Sequence, residues 1–468
     1  MDLGVPNVMY FDDTIAAIAT PMGEGGIGII RISGPESLKL AGSILKSATG
    51  KPIPNVQHHQ IYYGRVVDPL TDQMIDEVLF FYAKKPHSYT TEDVIEIQAH
   101  GGMYVLAQIL NLTLQNGARL AEPGEFTQRA YLNGRIDLVQ AEAIIDLIRA
   151  QTEQAHLLAV SQLNGRIAQK IEALETEVYQ VLIAMEAVLD FPEEGLAEPD
   201  KDLILAQMTL VYQQLVELLA NTAEGQKIRD GVLIVIVGRP NVGKSSLLNT
   251  FLQEEKAIVT EIPGTTRDII EAQFQLRGVP IRLVDTAGFR ETDNPIEKIG
   301  MAKAETYLKD ADLILWVLDA SQPLAQEDRT VAAKLHNKPV LAVINKTDLP
   351  AQMQRQELDS FNLPKILETS LLTGEGVGAI EQAIIDLVGL GQLKVDDRPF
   401  LARVRHKQAL EQAISYLDNF TCGLNDNISE DLLAVDLRGV LEALGEITGK
   451  KVNEEVLHGI FAQFCIGK

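Results

Sequence analysis

The sequence predicts a multidomain protein: an α+β N-terminal domain, an α-helical central domain, and an α/β domain inserted into the helical one. Three changes of texture carry this reading. Residues 1–125 are rich in β-branched residues, Gly and Pro. Residues 126–227 and 389–468 turn to Ala, Leu, Ile, Glu and Gln, with apolar residues three and four apart. Residues 228–388 alternate short apolar runs with helical stretches. Helical spacing buries one stripe of a helix, and alternating strand and helix argues a mostly parallel sheet covered on both faces. At about 150 residues per domain, a chain of 468 agrees with roughly three domains.

In the first segment Ile15–Ala19, Ile27–Ile32 and Val94–Gln98 read as strands and Val105–Leu114 as helix. Gly23, Gly25 and Gly28 fit G-x-G-x-x-G, but the residues that follow are strand-like. The pattern therefore predicts a glycine-rich hairpin, since a dinucleotide site needs a helix there. His100, Gly101 and Gly102 read as a tight turn. In the helical segment Leu138, Ala141, Ile145 and Ile148 share one face, and the acidic stretch from Pro192 to Pro199 reads as a loop.

Lys plus Arg number 41 against 65 Asp plus Glu, a formal charge of −24. That field opposes unspecific nucleic-acid binding and leaves a local basic patch as the route to RNA. Arg403, Arg405, His406 and Lys407 form such a run at a helix start; a solvated helix face is the alternative. Two cysteines, Cys422 and Cys465, make no disulfide framework and fit a reducing compartment. Met1 to Phe11 shows no secretory leader, and no apolar run approaches the ~18 residues of a membrane span. The expectation is a cytoplasmic protein without a membrane partner.

The strongest motif is Gly238 to Ser245, G-R-P-N-V-G-K-S, after the apolar strand Val232–Val237. It matches G-x-x-x-x-G-K-[S/T] in the strand–loop–helix context that a phosphate cradle needs. Asn241, Val242, Gly243, Lys244, Ser245 and Ser246 are expected at the nucleotide, with Lys244 on the β- and γ-phosphates and Ser245 on Mg²⁺. Asp285, Thr286, Ala287 and Gly288 close the strand Ile281–Val284, where the Asp reaches the Mg²⁺ shell and the Gly N–H meets γ-phosphate. Asn345, Lys346 and Asp348, in N-K-T-D, follow the strand-like run Val340–Ile344. A carboxylate there accepts two N–H bonds that guanine offers and adenine does not, so GTP is the predicted nucleotide. Thr265 and Thr266 lie between these stations as switch residues. Ser370 backs the base, although Leu371 and Leu372 stand where S-A-[K/R] is usual.

Phe289 occupies the position after D-x-x-G where many small GTPases carry the water-orienting Gln. Hydrolysis then needs another device. A monovalent cation held near Asn241 would neutralise developing charge, and Glu291 or Glu297 would orient water. Cys465 reads either as a catalytic nucleophile or as a buried inert thiol.

With R-I-S-G (Arg31–Gly34), G-R-P-N-V-G-K-S, I-P-G-T-T-R-D, D-T-A-G-F-R-E and F-C-I-G-K, the chain resembles the MnmE (TrmE) family of tRNA-modification GTPases over essentially its full length. The resemblance implies a GTPase that modifies C5 of the wobble uridine with an aminomethyl or carboxymethylaminomethyl group. It implies a homodimer joined through the N-terminal domains and a heterotetramer with an MnmG-type flavoprotein, which carries FAD. It also implies 5-formyl- or 5,10-methylene-tetrahydrofolate as one-carbon carrier, at Arg31, Glu96, Arg135 and Lys468. By the same resemblance K⁺ is held by Asn241, Thr260, Ile262 and Thr265, and Mg²⁺ by Ser245 and Thr266. Glu261, Pro263 and Gly264 complete the switch segment at the nucleotide, and Glu297 orients water. A ribosome-assembly or regulatory GTPase switch that binds RNA is the alternative function.

Overall fold

The computed structural model describes residues 13–48, 56–190, 200–253, 271–285, 305–335, 338–392 and 398–468. The chain forms two compact units. The first comprises Met1–Ile145, Gln162–Leu215 and Gln408–Lys468; the second comprises Asp146–Ser161 and Val216–Lys407.

The first unit contains a seven-stranded sheet of β1 (Ile15–Ile18), β2 (Gly25–Ser33), β3 (Leu45–Ser47), β4 (Ile61–Val67), β5 (Met74–Ala83), β6 (Val94–Gly101) and β7 (Arg119–Leu120). Their order is β3-β4-β5-β6-β2-β1-β7. The pairs are antiparallel except β1 with β7. The three glycines of the G-x-G-x-x-G pattern thus lie at the β1–β2 hairpin. Helices Ser37–Ile44 and Met103–Gln115 close one face over Ile30, Ile32, Val78, Phe80, Ile95 and Ile97. Because successive residues of a strand face opposite ways, Ile61, Tyr63 and Leu79 are left exposed on the other face.

The helical part of this unit includes Glu125–Leu132, Arg166–Asp190, Glu430–Thr448 and Glu454–Phe461. Leu138, Ala141 and Ile145 pack with Ile460, Phe461 and Phe464. Ile148, expected on the same stripe, is 52% exposed.

The second unit is built on β8 (Val232–Val237), β9 (Glu271–Leu276), β10 (Val279–Asp285), β11 (Leu313–Asp319), β12 (Val340–Asn345) and β13 (Lys365–Glu368). Their order is β13-β12-β11-β8-β10-β9, parallel except for β9 against β10. Residues of β8, β11 and β12 are buried on both faces, which is why they read as unbroken apolar runs. Helices Lys244–Gln253 and Val377–Val388 contribute to the core on one face, and Gln326–Ala333 to the core on the other.

One expectation about membranes needs correction. Helix Lys201–Asp230 is 30 residues long and carries an 18-residue window of mean hydropathy 1.4, enough in length and composition to cross a membrane. Gln and Thr interrupt its apolar runs, so no single run reaches 18 residues. Ile204, Met208, Val211, Leu215 and Leu218 are buried at spacings of three and four, one packed stripe of the helix, while Leu203 and Leu210 on other faces are exposed.

Candidate functional site

The nucleotide site forms at the carboxyl ends of β8, β10, β11 and β12, the edge where parallel sheets present their loops. β8 runs into Gly238, and helix Lys244–Gln253 starts six residues later. The loop between them cannot be built from ordinary residues. Gly243 has φ +111°, and a Cβ there would run into the Asn345 amide. Asn241 stands at φ +66°, where Asn is among the few tolerated side chains. The helix N-terminus behind the loop favours an anion.

Lys244 is 7% exposed, and its Nζ donates to the carbonyls of Gly238 (3.0 Å) and Arg239 (2.8 Å). Burial pushes its pKa down, partly offset by Asp285. Asp285, at the end of β10, is pushed up by burial, with Lys244 and Ser245 pulling the other way. Ser245 Oγ donates to Asp285 Oδ2 at 3.3 Å, while Asp285 Oδ1 is buried with no hydrogen-bond partner among the described residues. A hydroxyl and a carboxylate with an unused buried oxygen form a hard donor set that fits Mg²⁺.

The end of the site where the base is expected is held by three polar side chains. Asn345 Nδ2 donates to the Val242 carbonyl (2.8 Å), and its Oδ1 accepts from Leu371 N–H (3.1 Å). One side chain therefore clips the phosphate loop to the loop behind the base. Lys346 sits at φ +64° with Nζ 2.6 Å from Asp319 Oδ2. Ser370 Oγ donates to Asp348 Oδ1 at 2.7 Å. The departure at Leu371 and Leu372 is tolerated because the clip uses the Leu371 backbone and Leu372 points to solvent, 86% exposed.

The first unit gathers a second constellation. Arg31 on β2 and Glu96 on β6 are cross-strand partners joined at 2.8 Å, and both are largely buried. The Arg31 guanidinium lies 5.3 Å from the Tyr89 ring and 5.5 Å from Phe126, and its Nη1 donates to the Gly467 carbonyl at 3.2 Å. Arg135 lies 4.8 Å from the same Tyr89 ring and donates to the Tyr89 carbonyl. Phe126 N–H donates to the Lys468 carbonyl (3.2 Å) and Gly124 N–H to that of Cys465 (3.4 Å).

Beneath this cluster Arg129, fully buried, binds Asp13 (2.7 Å), Glu125 (2.9 Å) and Glu92 (3.2 Å). Burial alone would raise the Glu125 and Asp13 pKa values; the hydrogen bonds from Arg119 and Arg129 outweigh it and hold both low.

Residues 14–135 match the family model "GTP-binding protein TrmE N-terminus", and residues 138–465 match "MnmE helical domain". The tRNA modification GTPase MnmE of Thermoanaerobacter pseudethanolicus is 45% identical over 457 residues, covering 97% of this chain and 99% of that protein. The protein of the same description from Bacillus subtilis (strain 168) is 44% identical over 458 residues, covering 97% of this chain and 100% of its own.

The chain belongs to the MnmE family. It is a P-loop GTPase that acts in tRNA modification.

Within that assignment, the structure brings together Asn241 to Ser246, Asp285, Asn345, Lys346, Asp348 and Ser370 in one site, and Arg31, Glu96 and Arg135 with residues 465–468 in another. Thr260 to Thr266, Thr286 to Gly288, Phe289, Glu291 and Glu297 lie outside the described residues. Cys465 is exposed, so its reading as a buried inert thiol does not hold. The basic run at Arg403 is no free face: Arg403 pairs with Asp146 at 2.8 Å, and His406 is 1% exposed.

Sequence reasoning missed Asp319 and Asp328. Asp319 ends β11, and Asp328, fully buried, accepts from Arg239 Nε of the phosphate loop at 2.9 Å. The available signal was an acid closing a wholly apolar run, L-I-L-W-V-L-D. Tyr89 and Phe126, which flank Arg31, carried none.

Proposed function

We propose that this GTPase drives installation of an aminomethyl or carboxymethylaminomethyl group at C5 of the wobble uridine. A flavin-dependent MnmG-type partner would act with it, and tetrahydrofolate as 5-formyl or 5,10-methylene derivative would occupy the Tyr89 constellation. The observation that carries the reading is the convergence of Arg31, which pairs with Glu96, and Arg135 on one aromatic ring, with Gly467 bonded to Arg31. Guanidinium groups suit the carboxylates of a folate, and the aromatic rings suit its flat heterocycle.

At the nucleotide, Lys244 is poised to leave its two carbonyl partners for the β- and γ-phosphates, and Asp348 to accept the guanine N–H groups. Ser245 and Thr266 would hold Mg²⁺, with Asp285 behind them; the ion supplies charge neutralisation to the phosphate oxygens. Asn241, Thr260, Ile262 and Thr265 would hold K⁺, and Glu297 would orient the attacking water. Homodimerisation through the first unit is supported by the exposed Ile61, Tyr63 and Leu79, which form an apolar patch on paired strands. Cytoplasmic residence goes with this reading.

Calorimetry tests the folate assignment: 5-formyltetrahydrofolate binds the parent chain and not Arg31→Ala. Mass spectrometry of tRNA nucleosides from a deletion strain tests the chemistry. Unmodified wobble uridines are expected, and normal ones would overturn it.

A further inference from the structure

In a chain of charge −24 a polyanion needs a local basic patch, and Arg403 of the run at 403–407 is paired with Asp146. The described surface offers another. Residues 57–60 lead into β4, and Lys84 to His87 leave β5. β4 and β5 are antiparallel with Ile61 opposite Phe81, so both loops emerge at one end of the sheet. They are tied together: His59 N–H donates to the Tyr82 carbonyl (2.8 Å), and His59 Nε2 meets the His87 carbonyl (2.9 Å). His58 packs its ring against His59, with centroids 5.1 Å apart.

Residues 57–60 and 84–87 are exposed, and they contain Lys84, Lys85 and three imidazoles but no carboxylate. The nearest acids along the chain already accept hydrogen bonds. Asp93 Oδ1 accepts from Tyr82 Oη and from Lys85 N–H; Glu92 accepts from Arg129 and Ser33. Neither lysine makes an ion pair among the described residues. This differs from Lys450 and Lys451, which are matched to Glu175 and Glu442.

We propose that this edge grips the phosphate backbone of tRNA. The two lysines supply the charge and the His87 imidazole a further hydrogen-bonding group. The inference rests on the tRNA-modifying role of the family and places the contact on this chain. Position supports it. Lys85 and Tyr89 are four residues apart, so their Cα atoms lie within about 14 Å. A strand of RNA held at this edge therefore passes beside the Arg31–Tyr89 constellation.

The test is binding of unfractionated bacterial tRNA to the full chain between 50 and 200 mM salt. Each neutralised phosphate contributes about 0.7–0.9 to the slope of log affinity against log salt, so Lys84→Ala/Lys85→Ala should flatten that slope by about 1.4–1.8. The loss should be similar for every tRNA species, because phosphate contacts carry no sequence information. GTP turnover without tRNA should stay at the parent rate, showing that the variant folds. Lys450→Ala/Lys451→Ala should leave the slope unchanged. An unchanged slope for the Lys84/Lys85 variant, or no tRNA binding by the parent chain, overturns the proposal. So would equal flattening by both pairs. An edge that docks an acidic protein would also leave the slope unchanged. Loss of modified wobble uridines in a deletion strain is read separately, so the family role can stand while this contact falls.

Discussion

Replacing Asp319 with Asn removes one charge and leaves the shape almost intact, which isolates what its pair with Lys346 does. Lys346 holds a left-handed backbone, φ +64°, which costs an L-residue about 1–2 kcal/mol. Its Nζ lies 2.6 Å from Asp319 Oδ2, a carboxylate that is 2% exposed and also accepts from Ser321 N–H and Oγ. Burial works against ionisation of Asp319, yet Lys346 and Ser321 together hold its pKa below the ordinary value. A hydrogen bond to a charged group in such a place contributes about 1.5–3 kcal/mol. Without it the loop carrying Asp348 loses its preference for the binding geometry. Apparent affinity then falls by the fraction of molecules still competent. At about 1.4 kcal/mol per tenfold, the expected loss of GTP affinity is at most roughly 10- to 150-fold. The assay is equilibrium titration with a fluorescent GTP analogue, paired with turnover at saturating GTP. KM should rise while kcat stays within about threefold, because Asp319 reaches the substrate only through Lys346. Asp319→Glu should recover part of the affinity. Parental affinity in Asp319→Asn, or a fall in kcat at parental affinity, refutes the reasoning.

Gly243→Ala should abolish GTP binding while circular dichroism stays near the parent, since its Cβ would collide with the Asn345 amide and the φ of +111° disfavours a side chain. Asn345→Ala should lower both thermal stability and GTP affinity, by about 1–3 kcal/mol for each stranded partner, the Val242 carbonyl and the Leu371 N–H. Arg129→Met should lower the unfolding temperature of the N-terminal region by an amount equivalent to about 3–5 kcal/mol, because it removes the buried cation shared by Glu125, Glu92 and Asp13 and leaves Glu125 with Arg119 alone. The same cluster sets a pH dependence. Glu125 and Asp13 titrate below their ordinary values of 4.5 and 3.8. Their contribution is therefore complete above those values and is lost as pH falls through the lower, folded ones. Urea titrations at pH 7 and pH 3.5 should show that loss, and Glu125→Gln should shrink the difference between the two.

The sequence spoke most clearly where function constrains the backbone. Gly238, Gly243 and Lys244 announced the phosphate loop because glycines and a lysine at that spacing, after a buried strand, have one common use. β8, β11 and β12 were legible for a related reason: strands buried on both faces admit no polar residue until they reach the site. What stayed hidden joins distant segments. Asp328 meets Arg239 across 89 positions, Asn345 meets Val242 across 103, and Arg31 meets Gly467 across 436. No local pattern encodes such a pairing. The exposed end of Leu138–Ile148 shows the converse limit, for periodicity marks a face without saying where its cover stops. Helix Lys201–Asp230 adds another, since composition alone does not separate a core helix from a membrane span.

The bond from Arg31 to Gly467 also has a bearing on time. At about 5–20 residues per second, the 436 positions between them take roughly 20–90 s to synthesise. During that interval β2 and β6 can pair and the entire GTPase unit can emerge, while residues 465–468 do not yet exist. A nascent chain therefore acquires its GTPase unit before Gly467 reaches Arg31. A ribosome stalled near the end would leave a molecule with its GTPase unit made and Arg31 without its Gly467 partner.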